Sequence, residues 1–132
     1  MGKVVTVVGH FPFAEEPLSQ AAEIHILERN PQPGDHPDPA CEYLIPESDV
    51  VFVSGSAFVN KTMPRLLELS QNAFTVVVGP STPLSTRLFD YGADVVTGFV
   101  TASPRELFDC LDKPMTSAMY DFAYRVEQAV SE

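Results

Sequence analysis

Four segments of the chain share one pattern, a short run of β-branched residues that ends at glycine or a polar turn. They lie at residues 3–8, 49–53, 74–78 and 94–97. The runs Val4-Val5-Thr6-Val7-Val8, Val50-Val51-Phe52-Val53 and Val76-Val77-Val78 lack period-two alternation, which predicts parallel strands with helices over both faces. A fifth segment, residues 23–28, is less apolar and suits a place nearer the sheet edge. Between the strands, Ser103-Pro104-Arg105-Glu106 has the layout of a capping box opening a helix that runs to about Asp112. Leu66, Leu67 and Leu69 predict a helix over about residues 63–70, capped by Thr62 or Asn60, and residues 85–91 read as a short one. Met115, Ala118, Met119, Phe122, Val126 and Val130 recur at three- and four-residue spacing and predict a last helix. Residues 29–39, with four prolines and one glycine, read as an irregular loop.

Strands alternating with helices predict one α/β domain over residues 1–132. The expected architecture is a three-layer Rossmann-like sandwich with a five-stranded, mostly parallel sheet in the order 3-2-1-4-5. Ligands of such sheets sit beyond the carboxyl ends of the strands, where the order reverses. The expected crevice therefore lies between the turns after the first and fourth strands, Gly9-His10-Phe11-Pro12-Phe13 and Gly79-Pro80-Ser81-Thr82-Pro83.

Composition narrows the partners. The chain has 132 residues, 45% hydrophobic and 20% charged, the profile of a globular domain with one core. Its formal net charge of −10 repels a phosphate backbone and its eight Lys and Arg residues form no run, which argues against nucleic acid. No apolar run has the length of a membrane span, so no membrane partner is expected. The two cysteines, Cys41 and Cys110, stand far apart and read as reduced thiols, in keeping with a cytoplasmic location.

The chemistry is concentrated in turns. Gly9 is followed by bulky residues where a GxGxxG fingerprint needs close backbone approach, so ordinary NAD or FAD binding is disfavoured. Glu28, 19 positions after Gly9, stands where an acid could accept ribose hydroxyls, with Asn30 just beyond it at the rim. Ser54, Gly55, Ser56, Asn60 and Thr62 follow the third strand and open a helix, an environment that would suit a carboxylate or phosphate. Lys61, Arg65 and Arg87 are positioned to add positive charge. Asp35, His36, Asp38 and Cys41, with Glu42, are weak candidate metal ligands that match no established spacing. His25, between Ile24 and Ile26, reads as a packed or hydrogen-bonded histidine. His10 is the candidate acid or base, and Ser54, Ser56 and Ser81 lie outside any GxSxG elbow.

Taken as an ordered set, these turns resemble one family. Val8-Gly9-His10-Phe11-Pro12, Glu28-Arg29-Asn30-Pro31 with Pro33-Gly34-Asp35 and Pro37-Asp38, Asp49-Val50-Val51 through Ser54-Gly55-Ser56 with Asn60 and Thr62, and Gly79-Pro80-Ser81-Thr82-Pro83 are similar to the family known as putative heavy-metal chelation domains. The resemblance covers about residues 3–111. It implies a Rossmann-like domain with its site at these turns, which in many relatives is completed by an N-terminal domain. The expected ligand is a small anionic molecule or a metal chelate, with a metal ion as the cofactor to test. Three readings stay open: a binding domain, a transferase or lyase using His10, and a module that docks on a partner domain or a second copy through Phe11, Phe13 and Phe58.

Overall fold

The computed structural model describes residues 2–11, 17–110 and 121–130. Seven strands form one sheet: β1 (Val4–Val8), β2 (Glu23–Glu28), β3 (His36–Pro37), β4 (Val50–Ser54), β5 (Phe74–Val78), β6 (Val95–Thr101) and β7 (Ala123–Ala129). Their order is β3-β2-β1-β4-β5-β6-β7, and every pairing is parallel except β6 with β7. The α/β class and the mostly parallel sheet agree with the sequence pattern. The count of five strands does not.

The numbering 3-2-1-4-5 recurs, but for different strands. A two-residue strand inside the proline-rich loop takes third place, with Leu27 opposite His36 and Glu28 opposite Pro37. The strand expected third, Val50–Val53, is instead fourth and lies directly against β1. Asp49 helps to hold it there: its carboxylate accepts the Val4 amide at 2.8 Å, at the end of β1 remote from the turns. Asp94 does the same for β5, accepting the Thr75 amide at 2.7 Å.

The predicted last helix is corrected in part. Met115, Ala118 and Met119 lie outside the described residues, but Val126 sits in β7, antiparallel to β6 from Thr101 opposite Ala123 to Val95 opposite Ala129. A spacing of four residues fits a strand face as well as a helix face, so Phe122, Val126 and Val130 satisfied both periods. The β6 edge supplied the partner that decided between them.

Among the described residues, four short α-helices accompany the sheet: α1 (Cys41–Leu44), α2 (Ser56–Val59), α3 (Met63–Leu69) and α4 (Pro104–Cys110). Pro64 sits in the first turn of α3, where its missing N–H costs nothing, and Thr62 occupies the N-cap position without a side-chain cap bond. Ser85 does cap the 3-10 helix at Thr86–Tyr91, accepting the Arg87 amide, and Gly92 ends it in the left-handed region at φ 99°.

The register places Val8, Leu27, Val51, Val53, Val77 and Val96 on one sheet face, where they form one core with Ile45, Met63, Leu66, Leu67 and Leu88. This face is closed, whereas on the other Ile24 and Phe74 remain 40% and 50% exposed. Coverage of the two faces is thus unequal among the described residues, unlike the even sandwich expected from the uniformly apolar strands. No helix among the described residues is long and apolar enough to cross a membrane.

Candidate functional site

The sheet order reverses between β1 and β4, so the crevice lies between their carboxyl ends. The expected pairing of the Gly9 and Gly79 turns is therefore corrected, because β4 stands between β1 and β5. Three turns instead form a row. A Cβ on Gly9 would lie 3.1 Å from the Ser54 Cβ, and Gly9 keeps φ 103°, a conformation that favours glycine. On the far side of β4, the Gly55 amide donates to Val78 at 2.7 Å, and a Cβ on Gly55 would stand 2.6 Å from both the amide nitrogen and the hydroxyl oxygen of Thr82.

The crevice is a small cavity of about 80 Å³. Gly9, Glu28, Ser54, Ser56, Asn60 and Thr62, all read from the sequence as ligand contacts, line it together. Arg29 and Asp38 line it too. Arg29 was not among the expected site residues, although its place directly after Glu28 at the end of β2 was a usable signal. Ser54 and Ser56 share a hydroxyl contact of 2.9 Å. Asn30 is exposed, as are Pro80 and Ser81 in the β5 turn, while Thr82 is buried. Thr82 Oγ1 has no hydrogen-bond partner among the described residues. Pro12 and Phe13 fall outside the described residues.

Glu28 acts as a clamp between strand ends. One carboxylate oxygen accepts the His10 amide and the other the Arg29 amide, both at 3.0 Å. His10 turns away from the serines and, with Phe11, Leu18, Ile24 and Ile26, lines a second cavity of about 100 Å³. Its Nε2 lies 2.8 Å from Asp35 Oδ2, which also accepts the Gln32 amide at 2.8 Å. These two hydrogen bonds, that of His10 first, hold the Asp35 carboxyl below its ordinary range.

The helix opening at Ser56 is a single turn, so the expected N-terminal field is not built up over a long helix. Of the three expected cations, Arg65 is bound by Glu42 at 2.5 Å and Glu68 at 2.7 Å, which raises its pKa and commits its charge elsewhere. Arg87 lies 3.9 Å from Asp90 and is largely exposed. Lys61 is exposed and carries φ 62°, a left-handed conformation rare outside glycine. It ends α2 in a Schellman arrangement, the Thr62 amide donating to Ala57 and the Lys61 amide to Phe58.

The candidate metal ligands disperse. Asp35 pairs with His10, His36 with His25, and Asp38 faces the crevice. The Cys41 thiol is pushed up, first by burial and then by Asp38 and Glu42, so it holds its proton at neutral pH and is a poor ligand as it stands. No group of three or more His, Cys, Asp or Glu able to hold a metal ion forms among the described residues. The residues therefore do not fit a closed metal centre. A larger cavity, about 840 Å³ between α3 and residues 88–92, lies apart from the three turns.

The family model described as "Putative heavy-metal chelation" (DUF364) matches residues 1–128. An uncharacterised protein of Methanocaldococcus jannaschii is 37% identical over 76 residues, 54% of this chain and 29% of that protein. A crystal structure of a DUF364 protein of unknown function from Desulfitobacterium hafniense covers 98% of this chain with TM-score 0.91 and 39% identity. Another, from Pyrococcus horikoshii, covers 98% with TM-score 0.89 at 19% identity, a likeness of fold alone. The chain spans 53% and 55% of those two proteins.

Proposed function

The chain belongs to the DUF364 family, and on that premise we propose that it binds a small anionic molecule, or a metal ion already held by an anionic chelator, at the turns after β1, β4 and β5. The observation that carries this reading is the convergence of hydroxyl and amide groups around Gly55, with the buried Thr82 hydroxyl left unpartnered beside it. Buried hydroxyls are nearly always hydrogen-bonded, so one without a partner beside the Gly55 turn is a group awaiting an acceptor. An incoming chelator brings its own donors. That is compatible with the family description and with the lack of a three-ligand cluster in the described residues.

The relatives are nearly twice as long as this chain, and we propose that a partner domain or a second copy completes the site. A thermal-shift screen with inorganic phosphate, organic acids, nucleotides and their metal complexes tests the binding reading. A ligand at a hundredfold excess over its Kd is expected to stabilise the protein by about 2.7 kcal/mol. Silence across the panel contradicts it.

The contact between His10 and Asp35 favours a second reading, in which His10 acts as acid or base with its imidazole oriented by the carboxylate. His10→Ala would then abolish turnover of a bound substrate while sparing its binding.

A further inference from the structure

His25 and His36 lie on one face at the β2–β3 edge of the sheet, well away in sequence from the glycine turns. The register sets His36 opposite Leu27, and His25, two residues before Leu27, points to the same side. The imidazoles meet edge to face, with centroids 5.2 Å apart, and His25 Nδ1 lies 3.3 Å from His36 Nε2. The other nitrogen of His25, Nε2, stands 3.4 Å from Glu23 Oε1, on the same face again. A carboxylate at that position favours the proton on Nε2 and leaves the Nδ1 lone pair turned toward His36.

We infer that His25 Nδ1 and His36 Nε2 form a two-histidine site for a first-row divalent ion, with Glu23 orienting His25 from behind and water completing the coordination. The spacing is the argument. Two imidazole nitrogens each bound at roughly 2.0–2.1 Å to a tetrahedral ion are about 3.3 Å apart, which is the separation that His25 Nδ1 and His36 Nε2 already have. Without metal the same two atoms share a proton in a hydrogen bond. On binding, the His36 proton moves from Nε2 to Nδ1, and the lone pairs of both facing nitrogens go to the ion. The Glu23–His25 pair reproduces the carboxylate–histidine–metal arrangement that raises ligand basicity. His25 is mostly buried, its side chain 14% exposed, which limits the rotation of its ring. This site is separate from the strand-end crevice and does not depend on the ligand proposed there.

The test uses the chain as it is, with Cu2+ or Zn2+ alone. In imidazole-detected NMR, substoichiometric Cu2+ is expected to broaden the ring signals of His25 and His36 before those of His10, the third histidine of the chain. Broadening of His10 first, or none at one equivalent, overturns the proposal. Calorimetry with Zn2+ is expected to show one site that is lost in His25→Ala and in His36→Ala and weakened about tenfold in Glu23→Gln. Retention of that site in either histidine variant also overturns it. Phosphate or chelate binding at the Gly9, Ser54 and Thr82 amides, read in backbone amide spectra of the same samples, reports on that site separately.

Discussion

Gly55 and Thr82 are packed so closely that a methyl group on Gly55 would stand 2.6 Å from the Thr82 amide nitrogen and 2.9 Å from the Ser81 carbonyl carbon. These obstacles are backbone atoms, which cannot swing aside as a side-chain end can. Gly55→Ala is therefore expected to destabilise the protein by about 1–3 kcal/mol, the usual range for overpacking. Urea unfolding measures it, and an unchanged midpoint would show that the two turns are not in contact.

Thr82→Val tests the unpartnered hydroxyl from the opposite side. Removing a buried polar group that has no partner while keeping its shape is expected to leave the free protein as stable or to stabilise it by up to about 1 kcal/mol. The same change is expected to weaken any ligand found at the crevice. Loss of stability in the free protein would mean that the hydroxyl already has a partner there.

Lys61 occupies the left-handed position that ends α2, where glycine is the usual residue. Lys61→Gly is expected to raise stability by about 1 kcal/mol through relief of that strain. If stability rises while affinity for an anion falls, the lysine is kept for its charge beside the crevice. A fall in stability contradicts the strain argument.

Asp35 supplies a pH dependence of known sign. Its carboxyl titrates below the ordinary aspartate value in the folded chain, because His10 and the Gln32 amide favour the ionised form. Its contribution is thus fully present above that value and is lost as pH falls through the lower, folded one. Asp35→Asn is expected to be less stable than the parent at pH 6, with the gap closing in acid. Unfolding curves from pH 6 to 2 measure this, and a gap that widens in acid would reverse the assignment.

Five of the strands, the turns at Gly9, Ser54 and Gly79, and the family were legible from the sequence because each is local, whereas β7 was read as a helix. β-branched runs ended by glycine mark a parallel sheet, and five of the residues read from the Gly9 and Ser54 turns share one crevice with Glu28. What was not legible is non-local. The order of the strands depends on pairings such as Asp49 with Val4, 45 residues apart, and no periodicity encodes them. The two-residue strand at His36–Pro37 is too short to leave a pattern and hides among prolines. The contact of His10 with Asp35 spans 25 residues, so a residue read as a metal candidate became the partner of the candidate base. Glu28 was found for the right place, and its carboxylate serves two backbone amides there.

The central claim is that the turns after β1, β4 and β5 receive an anion, and amide chemical shifts test it most directly. An isotopically labelled chain is titrated with inorganic phosphate, with citrate, and with citrate carrying Ni2+. The largest shifts are expected at Gly9, at Ser54 to Ser56 and at Gly79, Ser81 and Thr82, reduced in Thr82→Val. Shifts confined to the α3 cleft around Leu67 and Tyr91, or none with any of the three probes, would contradict the account.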